Sequence, residues 1–232
     1  MKKQFPPFVL KQKVLLLFFL FVALTGFGAT TNKYTVTEFD NPSGHTGLRP
    51  TDINNKGEIV FWANNDATGR RKMFIYLPVA AYGLPAGMNL IDLADRSVEP
   101  RSINDNGVVG GWMAATDVVP NRTMGFTWQN GVFQEFNFGS TSDNTTVRSV
   151  NNSGSLAGTY EVPRPGNPLL KVTRGFVRTT NDAVILNPVS ANTNHTYAIA
   201  INNSNYVAGN YEAHSTVGIG TRGYIWDGAL TP

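Results

Sequence analysis

The 232-residue sequence contains no cysteine. This absence excludes disulfide bonds, thiolate nucleophiles, thiolate metal ligands and a lipid-modified cysteine behind an export leader. The sequence also lacks the nucleophile elbow of serine hydrolases, the His-Glu-x-x-His helix of zinc proteases and a phosphate-binding glycine loop. Stability must therefore come from core packing, and no familiar catalytic motif indicates an enzyme.

The N-terminus has the pattern of a secretory signal. Four lysines precede an apolar run from Val14 to Leu24, which is short for a membrane span. Gly26 and Gly28 supply the small residues that signal peptidase requires. We predict a signal peptide over residues 1–28 and a single domain over residues 29–232, with a retained membrane anchor as the alternative.

The mature part has almost no excess charge of either sign. The whole chain carries 19 basic and 16 acidic side chains, and the four leader lysines leave 15 basic ones, for a net charge of −1. Because no cluster of Lys and Arg remains to neutralise phosphates, nucleic acid is a poor partner. The predicted location is extracellular or periplasmic, without membrane attachment after signal cleavage.

One short stretch occurs four times in the sequence. The pattern Ile-Asn-Asn-x-Gly begins at Ile53 and recurs with variations at Ile103, Val150 and Ile201, at steps of 50, 47 and 51 residues. This period predicts repeated β-units that bury their apolar faces against their neighbours, as in a propeller. Within each unit the first Asn is predicted to cap a type I turn, which a left-handed residue completes. The left-handed positions are Gly57, Gly107, Gly154 and Asn205.

Further strands can be placed around each turn. The third strand carries two large aromatic residues two positions apart, as in Phe126 and Trp128, and Asn130-Gly131 then predicts a tight hairpin to a fourth strand. We predict an all-β, propeller-like fold with four repeats of four antiparallel strands, at about 40–78, 88–131, 132–182 and 183–232. The segment 34–39 is predicted to close the last blade. A fragment of a larger propeller, or two chains sharing an eight-bladed ring, stays open.

The repeated pattern, with a small residue and an aromatic residue further on, resembles the HAF repeat family of putative extracellular proteins. The match extends from Tyr34 to Gly228. The triplet that names the family reads Met-Gly-Phe, Arg-Gly-Phe and Arg-Gly-Tyr here, so the aromatic residue is kept and the histidine is not. The resemblance implies secretion and a propeller-like fold, and it offers no catalytic residues.

The candidate ligand-binding residues are arginines and tryptophans at repeated positions. Arg49, Arg101 and Arg148 precede their turns on the strand expected to line the central channel, where guanidinium groups would attract carboxylates or acidic sugars. They could instead pair with neighbouring acids such as Glu99. Trp62 and Trp112 occupy equivalent places and could stack on sugars or pack between blades.

The face of the ring opposite the asparagine turns, here called the second face, is expected to carry the recognition surface, because its loops differ from repeat to repeat. These loops are 64–71, 114–122, 162–173 and 213–221. The only three histidines, His45, His195 and His214, fall on the same face and are the candidate metal ligands, although their spacing forms no ligand motif. We predict no cofactor.

The leading functional hypothesis is a secreted binding module for a protein or an extracellular glycan. The alternative is a polysaccharide hydrolase or lyase that uses Asp66, Asp117 and Glu161 and needs two carboxyl groups about 5–10 Å apart. A structural cell-surface subunit, with a large apolar patch on its outer edge, is the third hypothesis. The ligand and the oligomeric state do not follow from the sequence.

Overall fold

The computed structural model describes residues 35–93, 95–115, 122–138, 143–179, 183–186, 193–215 and 218–227. The chain divides into two units, Met1–Phe39 and Asp40–Pro232. The described residues of the first unit, 35–39, form no strand or helix. Those of the second unit form fifteen strands. None of the described residues belongs to a helix that could cross a membrane.

The strands form four antiparallel sheets in which sequence neighbours pair. The first sheet contains β1 (His45–Ile53), β2 (Ile59–Asn65), β3 (Arg71–Leu77) and β4 (Gly87–Ile91). The second contains β5 (Val98–Ile103), β6 (Val109–Ala114), β7 (Thr123–Gln129) and β8 (Val132–Phe136). The third contains β9 (Thr145–Val150), β10 (Leu156–Arg164), β11 (Asn167–Arg178) and β12 (Ala183–Leu186). The fourth contains β13 (Thr193–Ile201), β14 (Val207–Ser215) and β15 (Gly218–Trp226).

The asparagine turns have the predicted geometry. In the second repeat, the side-chain oxygen of Asn104 accepts the backbone N–H groups of Asn106 and Val108, both at 2.9 Å. The residue that completes each turn has positive φ, and Asn205, at 63°, takes this conformation where the other repeats have glycine. Asn130 and Gly131 both have positive φ, as the tight hairpin between β7 and β8 requires.

Apolar side chains fill the spaces between neighbouring sheets. Val60, Ile75, Val98 and Trp128 belong to a core shared by the first and second sheets. Smaller clusters join the second sheet to the third and the third to the fourth. Each sheet therefore buries its faces against its neighbours, as the repeat period predicted.

The four asparagine turns surround one cavity of about 220 Å³, lined by the last residue of each inner strand and the two residues after it. The side-chain amides of Asn54, Asn104 and Asn151 each donate to the backbone carbonyl of the corresponding asparagine in the next repeat, at 2.7–2.9 Å. The four sheets around this shared cavity confirm the all-β, propeller-like fold. We call the axis through the cavity the channel, and β1, β5, β9 and β13 the inner strands.

Two details differ from the sequence prediction. The described residues 35–40 form no strand and the described part of the fourth sheet has three strands, so closure of the last blade by segment 34–39 stays a prediction. Segment 162–173 is a hairpin rather than a loop. Val162 pairs with Val172 and Pro163 pairs with Lys171, which continues the antiparallel register of β10 with β11. The buried Val172 anchors that extension against the domain.

Candidate functional site

Every inner strand has a β-bulge at the same position. The cross-strand register skips one residue, two places before the last residue of the strand. The skipped residues are Thr51, Arg101, Arg148 and Ile199. A bulge frees a residue from pairing and redirects its side chain, and bulges are frequent beside functional sites. Two of the predicted binding arginines therefore occupy bulges that face the channel.

Hydrogen bonds tie consecutive inner strands together directly beside these bulges. Ile103 N–H donates to Asp52 Oδ2 at 2.9 Å. The hydroxyl of Ser102 then accepts the N–H of Val150 at 3.2 Å, and that of Ser149 accepts the N–H of Ile201 at 3.1 Å. Ala200 occupies the equivalent position in the fourth repeat and has no side-chain acceptor. The links consequently fix the spacing of the bulge residues from the first repeat to the fourth.

An arginine–tryptophan cluster connects the first two sheets. It consists of Arg49, Trp62, Arg71, Glu99, Arg101 and Trp112. The Arg49 guanidinium lies 5.1 Å from the ring centroid of Trp62. The Arg71 guanidinium lies 4.6 Å from Trp62 and 5.5 Å from Trp112. Cation–π attraction at such distances positions the guanidinium groups over both indoles.

Glu99 is the acidic centre of the cluster. Its side chain is buried, and Arg101 Nη2 lies 2.5 Å from Oε1. Arg71 Nη1 donates to the other oxygen, Oε2. A buried carboxylate needs charged partners to offset its desolvation, and two guanidinium groups provide them here. The cluster holds three guanidinium groups for one carboxylate, so it keeps an excess of two positive charges.

Arg148 extends the positive charge along the channel. Its guanidinium is half-buried, and its Nε has no hydrogen-bond partner among the residues that the structure describes. Burial lowers the pKa of Arg148, and the positive charge of Arg101 lowers it further, whereas Tyr197 acts in the opposite direction. Arg148 forms no ion pair with any acid in the described part of the chain.

Sequence reasoning found most of this arrangement. Four of the five predicted binding residues belong to the cluster, and the fifth, Arg148, lies next to Arg101 along the channel. Arg71 was missed as a binding residue. The sequence contained a signal for Arg71, because it is an arginine where the other three repeats have threonine. These threonines are Thr123, Thr173 and Thr221. The tryptophan rings are contacted by arginines, which leaves less of their faces for sugar stacking.

The predicted metal ligands do not form a site among the described residues, in which no group of three His, Asp or Glu side chains could hold a metal ion. His45 Nδ1 lies 2.9 Å from the Ser43 carbonyl oxygen, and its ring meets Phe74 edge-on. His195 Nδ1 accepts the N–H of Thr173 at 3.1 Å. The side chain of His214 lies outside the described part.

The two described carboxylates of the enzymatic alternative belong to different sheets. Asp66 lies in the turn after β2 of the first sheet. Glu161 lies in the third sheet, where it accepts the Asn144 amide at 2.9 Å and has Lys171 3.9 Å away. Asp117 is outside the described residues.

A larger cavity of about 560 Å³ lies between the second and third sheets, away from the channel. The Arg178 guanidinium, on its wall, lies 5.0 Å from the ring centroid of Phe136. This cavity has one cation against an aromatic wall, whereas the channel combines several arginines with a buried acid. The channel is therefore the stronger candidate for a charged ligand.

Comparisons with known proteins give a distant likeness. No protein-family model matches the sequence, so membership of the HAF repeat family stays a prediction. No curated protein matches it either. Among solved structures, the chain is similar to "The beta-propeller domain of the Trilobed protease from Pyrococcus furiosus", reported with an open velcro topology, at 11% identity and a TM-score of 0.38. The match covers 82% of this chain and 68% of that one. The fold assignment rests on the four sheets and their shared cavity, and such a frame suggests a binding or interaction module in general terms.

Proposed function

We propose that the protein is a secreted binding module that recognises an extracellular glycan or a partner protein at the channel. The leader over residues 1–28 supports export. The repeated frame supports binding, since side chains that differ between repeats are presented on a common scaffold.

The observation that carries the proposal is the charge imbalance of the arginine–tryptophan cluster. Arg71 and Arg101 pair with the single buried carboxylate of Glu99, and Arg49 adds a third guanidinium against the Trp62 ring. The side chains of Arg71 and Arg101 keep 40% and 39% of their surface exposed, so a ligand can reach them. Guanidinium groups form strong paired hydrogen bonds with anions, and the preferred ligand is therefore acidic.

A screen of the purified protein against a glycan array and an extracellular protein extract tests binding. Arg71→Gln removes the guanidinium that joins both tryptophans to Glu99, and we expect it to weaken binding of any hit roughly tenfold. Arg70→Gln is the matched control, because Arg70 is the preceding residue, lies outside the cluster and has the exposed Asp95 at 3.7 Å. Equal losses in both variants, or an empty screen, would contradict the proposal.

Export is tested separately. The protein is expressed in a bacterial host with its own N-terminus, and the N-terminal peptide from the culture medium or periplasm is identified by mass spectrometry. We expect a mature chain that begins at residue 29. Retention of residues 1–28 in the membrane fraction would support the anchored alternative instead.

A further inference from the structure

We propose that Arg148 and Arg101 together hold the carboxylate of a uronic-acid-containing glycan inside the channel. The inference rests on the proposed binding function and names the chemistry of its ligand. Its central residue is Arg148, which lies outside the arginine–tryptophan cluster. The Nε donor of Arg148 has no acceptor among the described residues.

The repeat places the two arginines at equivalent positions on neighbouring inner strands. Both occupy the bulge of their inner strand, at equivalent positions on β5 and β9. The hydrogen bond from Val150 N–H to the Ser102 hydroxyl joins the two strands beside these bulges. In β9, Thr145 and Val147 are fully buried, whereas Thr146 and Arg148 are not. Arg148 interacts electrostatically with Arg101 on β5 and Tyr197 on β13, the inner strands on either side of β9, so its side chain faces the channel that these strands surround.

The two arginines differ in what the protein supplies to them. Arg101 is bound to Glu99. Arg148 has no acidic partner among the described residues, and its buried Nε donates to no acceptor. A half-buried guanidinium without a counter-ion destabilises a fold, and a buried donor without an acceptor adds a further cost. An anion placed between Arg148 and Arg101 would relieve both.

The chemistry of the surroundings favours a sugar acid. Arg71 and Arg101 bind the two oxygens of the Glu99 carboxylate, which shows that the arginines of this region can bind such a group. Thr146 and Tyr197 occupy equivalent positions two residues before the bulges of β9 and β13, and both are only partly buried, so a ligand beside Arg148 can reach their hydroxyls. A uronate offers ring hydroxyls to such groups beside its carboxylate, whereas an aspartate or glutamate side chain offers the carboxylate alone.

The test is calorimetric titration of the full chain with an oligogalacturonate. The probe is compared with the same oligosaccharide as its neutral methyl ester and with a poly-glutamate peptide. We expect the acid to bind, with an affinity that falls as salt is raised, and the ester to bind at least about tenfold more weakly. Equal binding of acid and ester, or tighter binding of poly-glutamate, would overturn the inference.

Arg148→Gln should weaken oligogalacturonate binding roughly tenfold or more, and Arg148→Lys should recover part of the loss because charge is kept without the planar fork. Arg178→Gln, in the same sheet but at the outer cavity, is the control and should change binding less than about twofold. Without ligand, Arg148→Gln should raise Tm, since it removes an uncompensated charge. A lower Tm would mean that Arg148 has a structural partner and would overturn the assignment.

The outcomes separate the two proposals. If the protein binds an acidic protein or a sulfated glycan in the screen but no oligogalacturonate, the uronate site fails and the binding function stands. If oligogalacturonate binds and depends on Arg148, both stand. If neither the screen nor the titration gives a ligand, both fail.

Discussion

The side-chain amide of Asn104 donates a 2.7 Å hydrogen bond to the backbone carbonyl of Asn151, 47 residues later. The same side chain accepts two backbone N–H groups of its own turn. Asn104 therefore shapes one turn and fixes the position of the next with a single buried side chain. Asn54 and Asn151 donate the same bond to the next repeat, so this double use explains the asparagine at the start of the first three turns.

Replacing Asn104 by alanine should destabilise the protein by roughly 3 kcal/mol, because three hydrogen bonds are lost and buried partners stay unsatisfied. Asn202→Ala is the matched control. Asn202 is exposed and accepts two N–H groups of its own turn, but it donates no bond to another repeat in the described part of the chain. Urea unfolding at pH 7 should show the larger loss for Asn104→Ala, and equal losses would contradict the link between repeats.

A methyl group at Gly158 should be poorly tolerated. A Cβ placed there would lie 2.2 Å from the backbone oxygen of Thr146 and 2.7 Å from the Phe176 ring. Backbone cannot move aside cheaply, so Gly158→Ala should cost about 3 kcal/mol. At Gly220 a Cβ would meet nothing within 4 Å, and Gly220→Ala should change the free energy of unfolding by less than about 0.5 kcal/mol. Thermal unfolding of both variants checks the close approach of β9 and β10.

The hydroxyl of Ser149 should contribute to the contact between the third and fourth sheets. Ser149→Ala removes the acceptor for Ile201 N–H, and we expect a loss of about 1 kcal/mol. Ala200→Ser places a hydroxyl at the equivalent position of the fourth repeat, where Ile53 N–H already donates to Asp52 Oδ1 at 2.9 Å. It should therefore give no comparable gain. A gain of about 1 kcal/mol in denaturant unfolding would show that the fourth repeat is linked to the first.

The raised pKa of Tyr82 should affect the pH dependence of stability. Burial and the neighbouring Glu58, whose two oxygens accept from the Tyr82 hydroxyl at 3.0 Å, raise the pKa of Tyr82 to about 12 from 10.0. A raised folded-state pKa stabilises the fold below pH 10, and this stabilisation is lost as the pH rises towards 12. Tyr82→Phe should therefore flatten the fall in stability above pH 10.

Absorbance at 295 nm gives an independent check. Burial also raises the pKa of Tyr224 to about 12, so the native protein should show a late-titrating fraction. Tyr82→Phe and Tyr224→Phe should each remove one tyrosine from that fraction. A titration that is unchanged by Tyr82→Phe would contradict the contact with Glu58.

The sequence predicted what depends on local chemistry. The turns followed from Asn and Gly at fixed offsets, and the exception at Asn205 obeyed the same backbone requirement. The offsets from the turns also predicted that Arg101 and Arg148 lie at equivalent positions of their inner strands, while their role in binding stays a prediction. These features need only a few neighbouring residues to specify them.

Long-range features were harder to predict. The bulges arise from the pairing of two strands, so no single stretch of sequence marks Arg101 as skipped. The contact of Arg71 with Glu99 joins two sheets, and its position read as the end of a variable loop. The closure by segment 34–39 was inferred from a count of strands, and such a count cannot establish pairing between the two ends of a chain.

The skipped position in each inner strand is released from the demands of pairing, so its side chain can be exchanged without disturbing the hydrogen-bonded ladder. Thr51, Arg101, Arg148 and Ile199 already differ in charge, size and polarity on one shared backbone. A change of one codon per repeat would therefore alter the chemistry of the proposed channel site. The same four positions offer an engineer a compact library for redirecting it to a new target.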